Sequence, residues 1–305
     1  MPAVDTQPTA GPSRGARREG LVPHPEDLRA IKLIGLGGTG GVLARYLVMY
    51  LAALDAPVRV VLIDGDEFEP RNAERMFFSR CGNKASVVLE DLLPMLGDAP
   101  ITLTAIEQYV TPENLDRLVH EGDVVLLAVD NHATRKLVAE HCDRALRDFC
   151  LISGGNDGIG SDSLGRVVRG TYGNVQIHLR REGRDRTPGL LAYHPELADP
   201  ADRLPSDLSC SEAIASVPQI LFANLASASV MLNTFYLHVC RDLGYAEVGF
   251  DIREALMRPV ELPLPAASVL APPPARREFS DSAADSPPDS RAPGDEEAAE
   301  PEYVV

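Results

Sequence analysis

One stretch limits what this chain can fold into more than any other: Ile31-Lys32-Leu33-Ile34-Gly35-Leu36-Gly37-Gly38-Thr39-Gly40-Gly41. β-compatible residues run directly into glycines, and a helical apolar pattern (Val42, Leu43, Tyr46, Leu47, Met49, Tyr50, Leu51) runs out of them. Strand, tight turn and helix in that order build the first unit of a nucleotide-binding α/β sheet, because bare N–H groups at a helix N-terminus take phosphate oxygens. Gly35, Gly37, Gly38 and Gly40 are the candidate nucleotide contacts, since a Cβ there would hold phosphates away and oppose unusual dihedrals. At Gly38 a side chain is expected to block nucleotide before it harms the fold. The same spacing satisfies the dinucleotide fingerprint of NAD(P)-dependent oxidoreductases, so the turn alone leaves the ligand open.

The next strand pattern, Val58-Arg59-Val60-Val61-Leu62-Ile63, ends at Asp64-Gly65-Asp66-Glu67. An acidic strand end at this distance from the glycines binds ribose hydroxyls in such folds, which singles out Asp64, with Asp66 beside it. Arg71-Asn72-Ala73-Glu74-Arg75 follows, and then Gly82-Asn83-Lys84 opening a helix over 85–93. Asn72, Arg75 and Lys84 thus gather past a strand's carboxyl end, where open parallel sheets bind ligands, and suggest a second anion site. Further strands are expected over 101–106, 123–129 and 149–153, with a helix over 112–119 capped by Thr111. The apolar strand 123–129 ends at Asp130-Asn131, and a carboxylate there is well placed for Mg²⁺. Helix is expected over 133–146, and two antiparallel strands over 166–172 and 174–179. Charges, Gly and Pro over 180–209 read as a long mobile loop, before Cys210 and a helix over about 218–243 whose small residues permit close helix packing. The fold class is α/β: a Rossmann-like, mostly parallel twisted sheet flanked by helices, with an added antiparallel segment.

Composition closes off several classes. The net charge is −16 and the pI near 4.8, which argues against a general nucleic-acid or anionic-membrane binder. Residues 1–24 read as a disordered arm and 259–305 as a disordered acidic, Pro-rich tail, leaving 25–258 as the folded domain. The five cysteines are spread widely with no CxxC pair, so neither zinc nor a disulfide framework is indicated, and a reducing cytoplasm fits best. Cys81, Cys142, Cys150 and Cys240 read as structural. Neither a signal peptide nor a membrane-spanning run is apparent.

Together, Ile34-Gly35-Leu36-Gly37-Gly38-Thr39-Gly40, Asp64-Gly65-Asp66 with Asn72 and Arg75, Gly82-Asn83-Lys84-Ala85, and Asp130-Asn131-His132-Ala133-Thr134-Arg135 resemble the ThiF/MoeB/HesA family, adenylating enzymes related to the ubiquitin-activating enzymes. The ThiF-type proteins of bacterial mobile-element ubiquitin-like gene clusters are similar. The resemblance implies an adenylyltransferase that uses ATP and Mg²⁺ to activate the C-terminal glycine carboxylate of a small ubiquitin-like or sulfur-carrier protein. It implies the glycine turn at the nucleotide, Asp64 on the ribose, and Asn72, Arg75 and Lys84 on the phosphates. Asp130 would hold Mg²⁺, with Asn131 beside the nucleotide. Cys210-Ser211-Glu212-Ala213 resembles the segment in which some relatives carry a cysteine that takes over the activated carboxylate, so Cys210 is a candidate acceptor. A homodimer, or a dimer with a related subunit, is expected. The chain departs from the family pattern in having Met76 where Gln is frequent and Arg71 where Ser is frequent, and in lacking paired zinc cysteines. An oxidoreductase, or a non-catalytic family partner that recruits the carrier, are the alternatives.

Overall fold

A computed structural model describes residues 20–73, 76–161, 165–207 and 219–261. Arg75 and Cys210 lie outside the described residues, as do most of the two expected tails.

The strand predicted before the glycines is β1, Ile31–Ile34, and all four of its residues are buried. Even Lys32 is covered, its ammonium 3.6 Å from Asp123 Oδ2. After the turn comes α1, Gly38–Ala53, and then β2, Val58–Ile63. Short strands β3 (Glu67–Phe68) and β4 (Gly82–Asn83) pair with each other and lead into α2, Lys84–Leu96. The Asn83 side chain caps α2 by accepting from Ala85 N–H at 2.8 Å, so the helix starts at Lys84 itself. Next come β5 (Ile101–Ile106), α3 (Leu115–Leu118), β6 (Val124–Leu127) and α4 (His132–Ala145). Helix α3 is shorter than expected because Asn114, not Thr111, organises the turn. Its Oδ1 accepts from Thr111 N–H at 2.8 Å, and its Nδ2 donates to Tyr109 O at 2.8 Å.

Strand β7 (Phe149–Asn156) is followed by a small hairpin, β8 (Ile159–Ser161) and β9 (Val167–Arg169), and then by β10 (Tyr172–Arg181). The two strands expected around residues 166–179 both form, but β9 pairs with β8 while β10 lies antiparallel on β7. The stretch expected as a patternless loop is built. It holds β11 (Arg184–Asp185), α5 (Leu190–Tyr193) and single turns at Pro195–Leu197 and Pro205–Asp207, and Leu190 and Leu197 are buried. Helix α6 (Leu221–Val239) precedes β12 (Tyr245–Asp251) and β13 (Leu256–Glu261). Residues 259–261, whose composition reads as the start of the tail, complete β13, which pairs with β12.

The sheet order is β13-β12-β10-β7-β6-β1-β2-β5, with β11 on β10. From β5 to β7 neighbouring strands are parallel; from β7 outward they are antiparallel. The chain therefore leaves β1 to one side through β2 and returns to the other through β6, which opens a crevice at their carboxyl ends. Alternation along the strands divides the core in two. Leu33, Leu62, Leu126 and Ile152 pack with α1, α2 and α6, whereas Ile34, Ile63, Leu127 and Leu151 pack with α3, α4 and the α5 region. The small residues of α6 are used within the chain: Ala223, Ser227 and Ala228 are buried where α6 meets α1 and β7.

The glycines divide the work differently from expectation. Gly35 has φ +88°, and a Cβ at Gly40 would lie 1.8 Å from Gly35 O, so both are demanded by the turn itself. A Cβ at Gly38 would lie 2.3 Å from Nδ2 of the buried Asn224 on α6. Gly38 is thus a packing position as well as part of the lining of the nucleotide-side cleft, and a side chain there also presses on the fold. At Gly37 a Cβ meets Met76 Cε at an ordinary 3.6 Å. Gly38→Ala is expected to lose about 1–3 kcal/mol in urea unfolding, the usual cost of overpacking, while Gly37→Ala stays within about 0.5 kcal/mol of wild type.

Candidate functional site

The carboxyl ends of β1, β2, β6 and β7 and the amino end of the antiparallel β10 surround one cleft of about 880 Å³. Gly35, Gly37, Gly38, Asp64, Asp66, Asn72, Lys84, Asp130 and Asn131 all line it, although they span most of a hundred residues of sequence. Gly40 does not; it sits beneath the turn.

Each side chain is placed by its element. Gly37 precedes α1 with no side-chain cap, so the first N–H groups of that helix are left for another partner. Asp64 ends β2 and turns inward: Oδ2 accepts from Leu36 N–H at 2.6 Å and Oδ1 from Asp66 N–H at 2.8 Å. Its burial raises its pKa, against the attraction of Lys84. This carboxylate holds the glycine turn while still lining the cleft, and the more open carboxylate of the pair is Asp66. Asp66 accepts from Lys84 Nζ at 2.8 Å and from the Tyr109 hydroxyl. Burial would raise the Asp66 pKa, but Lys84 and Tyr109 outweigh it and the net shift is downward. For Lys84, burial opposes the charge, yet Asp64 and Asp66 raise its pKa and keep it an ammonium. Gly65 lies between these groups because a Cβ there would meet Tyr109 Cγ at 2.6 Å. Asn72 accepts from Glu69 N–H at 3.0 Å in the turn Pro70–Asn72.

Across the cleft, Asp130 lies three residues beyond β6, is exposed, and has no hydrogen-bond partner among the described residues. Such a carboxylate suits a hard divalent cation. Asn131 Oδ1 caps α4 by accepting from Thr134 N–H at 2.8 Å, and Asp202 accepts from His132 and Ala133 N–H at 2.7 and 2.8 Å. Among the described residues, one grouping has other metal-type ligands, Asp143, His178 and Asp185. Arg180 already bridges its two carboxylates, which makes it an ion-pair network.

Sequence reasoning missed the second arm of the cleft. On β10 the side chains of Asn174 and Gln176 share one face, with Glu247 of β12 and Ser153 of β7 directly opposite Gln176. His194, from the segment expected as loop, bonds Glu247 through Nε2 and Glu196 through Nδ1, both at 2.8 Å. The antiparallel β10 signal was present, but which residue faces which needs the sheet order. Tyr109 was missed for the same reason, and Arg135 was visible only as part of a motif. Burial pushes the Cys142 and Cys150 thiols up to about 12, consistent with packed, inert cysteines, and Cys240 is buried too. Cys81 is exposed, so its structural reading does not hold.

The fold and its cleft define an α/β protein of the nucleotide-binding, doubly wound class. The chain belongs to the ThiF family, whose sequence profile matches residues 26–221. It is 31% identical over 121 residues to vegetative HesA of Trichormus variabilis, covering 37% of this chain and 42% of that one. HesA of Leptolyngbya boryana is 32% identical over 117 residues, covering 36% and 39%. The matched region thus spans about two fifths of these relatives. Among solved structures, PaaA aligns with a TM-score of 0.54 at 16% identity, over 78% of this chain and 65% of its own. Escherichia coli MccB, solved with AMPCPP and MccA, aligns at 0.52 and 16%, also over 78% and 65%. These two establish the fold. Among the described residues no helix is long and apolar enough to cross a membrane.

Hydrogen bonds to the neighbouring glutamates raise the His194 pKa above its ordinary 6.5, despite burial. Bonding to His194 lowers Glu247 below its ordinary 4.5, again despite burial. A raised histidine contributes stability in full below pH 6.5, lost as pH rises through the folded value; a lowered glutamate contributes above pH 4.5, lost as pH falls. His194→Gln is therefore expected to destabilise the protein more at about pH 5.5 than at about pH 9, as read by urea unfolding at both.

Proposed function

We propose that this protein is an ATP-dependent adenylyltransferase that activates a carboxylate, that of the C-terminal glycine of a small ubiquitin-like or sulfur-carrier protein, as an acyl-adenylate. The observation that carries this reading is a single cleft in which an uncapped helix N-terminus and the buried Lys84 ammonium face the open Asp130 carboxylate. A dinucleotide oxidoreductase would have no common use for Lys84 and Asp130.

In this reading the nucleotide lies along Gly35, Gly37 and the start of α1, with Asp64, and Asp66 beside it, toward the ribose. Asn72 and Lys84 face its phosphates, and the family resemblance assigns Arg75 to them as well. Asp130 would hold Mg²⁺, which supplies charge neutralisation at the phosphates when bound, and Asn131 stands beside it. A carboxylate oxygen bonds the α-phosphorus, the bond to pyrophosphate breaks, and pyrophosphate leaves with the electron pair. The chain contributes placement and fixed charge, with no protein nucleophile in this step. ThiF membership supports the reading, as does the likeness to MccB, solved with ATP and with N-formylated MccA. The domain taken to do this is 25–258 extended through β13, paired with a second copy or a related subunit.

Asp130→Asn is expected to lower carrier-dependent ATP–pyrophosphate exchange by at least about 100-fold with little change in melting temperature. Exchange at the wild-type rate would show the site to be misplaced. If Cys210 accepts the activated carboxylate, a thiol-labile carrier adduct forms in wild type and is lost in Cys210→Ala. An adduct that survives the substitution would exclude Cys210.

A further inference from the structure

Arg135 stands where the two arms of the cleft meet. It belongs to α4, but its guanidinium reaches β7: Nη1 donates to Ser153 Oγ at 2.6 Å, and Nη2 donates to Val129 O at 2.6 Å and Gly154 O at 2.9 Å. All three acceptors are uncharged, and among the described residues no carboxylate lies within ion-pair distance of it. The side chain is buried at 8% exposure, and that burial pushes the guanidinium down to about 10 against the attraction of Asp130 and Asp202. A buried charge without an ion-pair partner is costly. Even the backbone is adapted to it, since a Cβ at Gly155 would lie 2.4 Å from Nη2.

Its surroundings point to what the charge serves. On one side is Asp130, one residue beyond the Val129 carbonyl that the fork holds. On the other, Ser153 opens the polar row Ser153, Gln176, Glu247 across β7, β10 and β12. Gln176 is 5% exposed, lines the cleft, and has no hydrogen-bond partner among the described residues, so its amide remains available to a ligand's main chain. The other buried cation of the cleft, Lys84, already has Asp66.

We propose that Arg135 is the counter-charge for the substrate's carboxylate, which enters along the arm floored by Gln176 and comes to rest between Arg135 and the nucleotide. This rests on the adenylyltransferase reading. Carboxylate and triphosphate repel each other as they approach, and a fixed cation at their meeting point offsets that repulsion without reorganising. An arginine has five N–H donors, and the three bonds to Ser153, Val129 and Gly154 leave two uncommitted while fixing the charge at the edge of the cleft. The fork keeps the charge in place while the carboxylate binds.

The test uses the full chain saturated with AMPCPP and Mg²⁺, titrated with one synthetic Gly-Gly-terminated peptide as the free acid and as the carboxamide. Wild type is expected to bind the acid at least about tenfold more tightly than the amide. Arg135→Gln should bring the two within about twofold while AMPCPP affinity stays within about threefold of wild type. Arg135→Lys, which keeps the charge and gives up the fork, should retain most of the preference. An undiminished preference in Arg135→Gln, no preference in wild type, or a loss in Arg135→Lys as complete as in Arg135→Gln overturns the proposal. Failure of wild type to bind AMPCPP overturns the adenylation reading itself.

Discussion

The structure depends on one buried carboxylate. Asp64 accepts the Leu36 N–H with one oxygen and the Asp66 N–H with the other, so the glycine turn after β1 is fastened to the end of β2. Gly35 N–H donates to Ile63 O at 3.0 Å and Ala128 N–H to Ile34 O at 2.8 Å, which joins the β6 end to the same knot. Without Asp64, two N–H groups would lose their acceptor, at about 1–3 kcal/mol for each one left buried and unpaired. What the knot secures is position: the start of α1, Asp66 and Asp130 all hang from it.

From that anchor the charges of the cleft sort themselves. Asp64 and Asp66 hold Lys84 as an ammonium at the β2 side, and Tyr109 closes the group from β5. Asp130 is left open at the β6 side, with Arg135 behind it tied to neutral acceptors. Beyond Arg135 the sheet becomes antiparallel and its cleft face becomes polar. The cleft therefore has a glycine-lined end, where Lys84 sits beside Asp64 and Asp66, and a hydrogen-bonding end, with Arg135 and Asp130 between them. That division suits a reaction joining a nucleotide to the end of another molecule.

Much of this was legible because parallel strands buried on both faces read as apolar runs. The strands around the glycine turn, Val58–Ile63 and Val124–Leu127 were all visible in that way. The misreadings share a cause. Asp64 and Asp66 are two positions apart, and the sequence does not say which one faces inward. Gly37 and Gly38 are neighbours, yet only Gly38 meets Asn224, a contact made across nearly two hundred residues of chain. The segment holding His194 reads as loop because its Pro and charged residues mask Leu190 and Leu197, which are buried in the second core. Gln176 and Glu247 face each other only because β10 and β12 pair in one register.

The central claim is that the glycine turn serves ATP and not a nicotinamide dinucleotide. Calorimetric titration of the full chain with ATP, with and without Mg²⁺, and separately with NADH tests it most directly. The account predicts one ATP site per chain that tightens with Mg²⁺, and no measurable binding of NADH. Saturable NADH binding with ATP left unbound would contradict it.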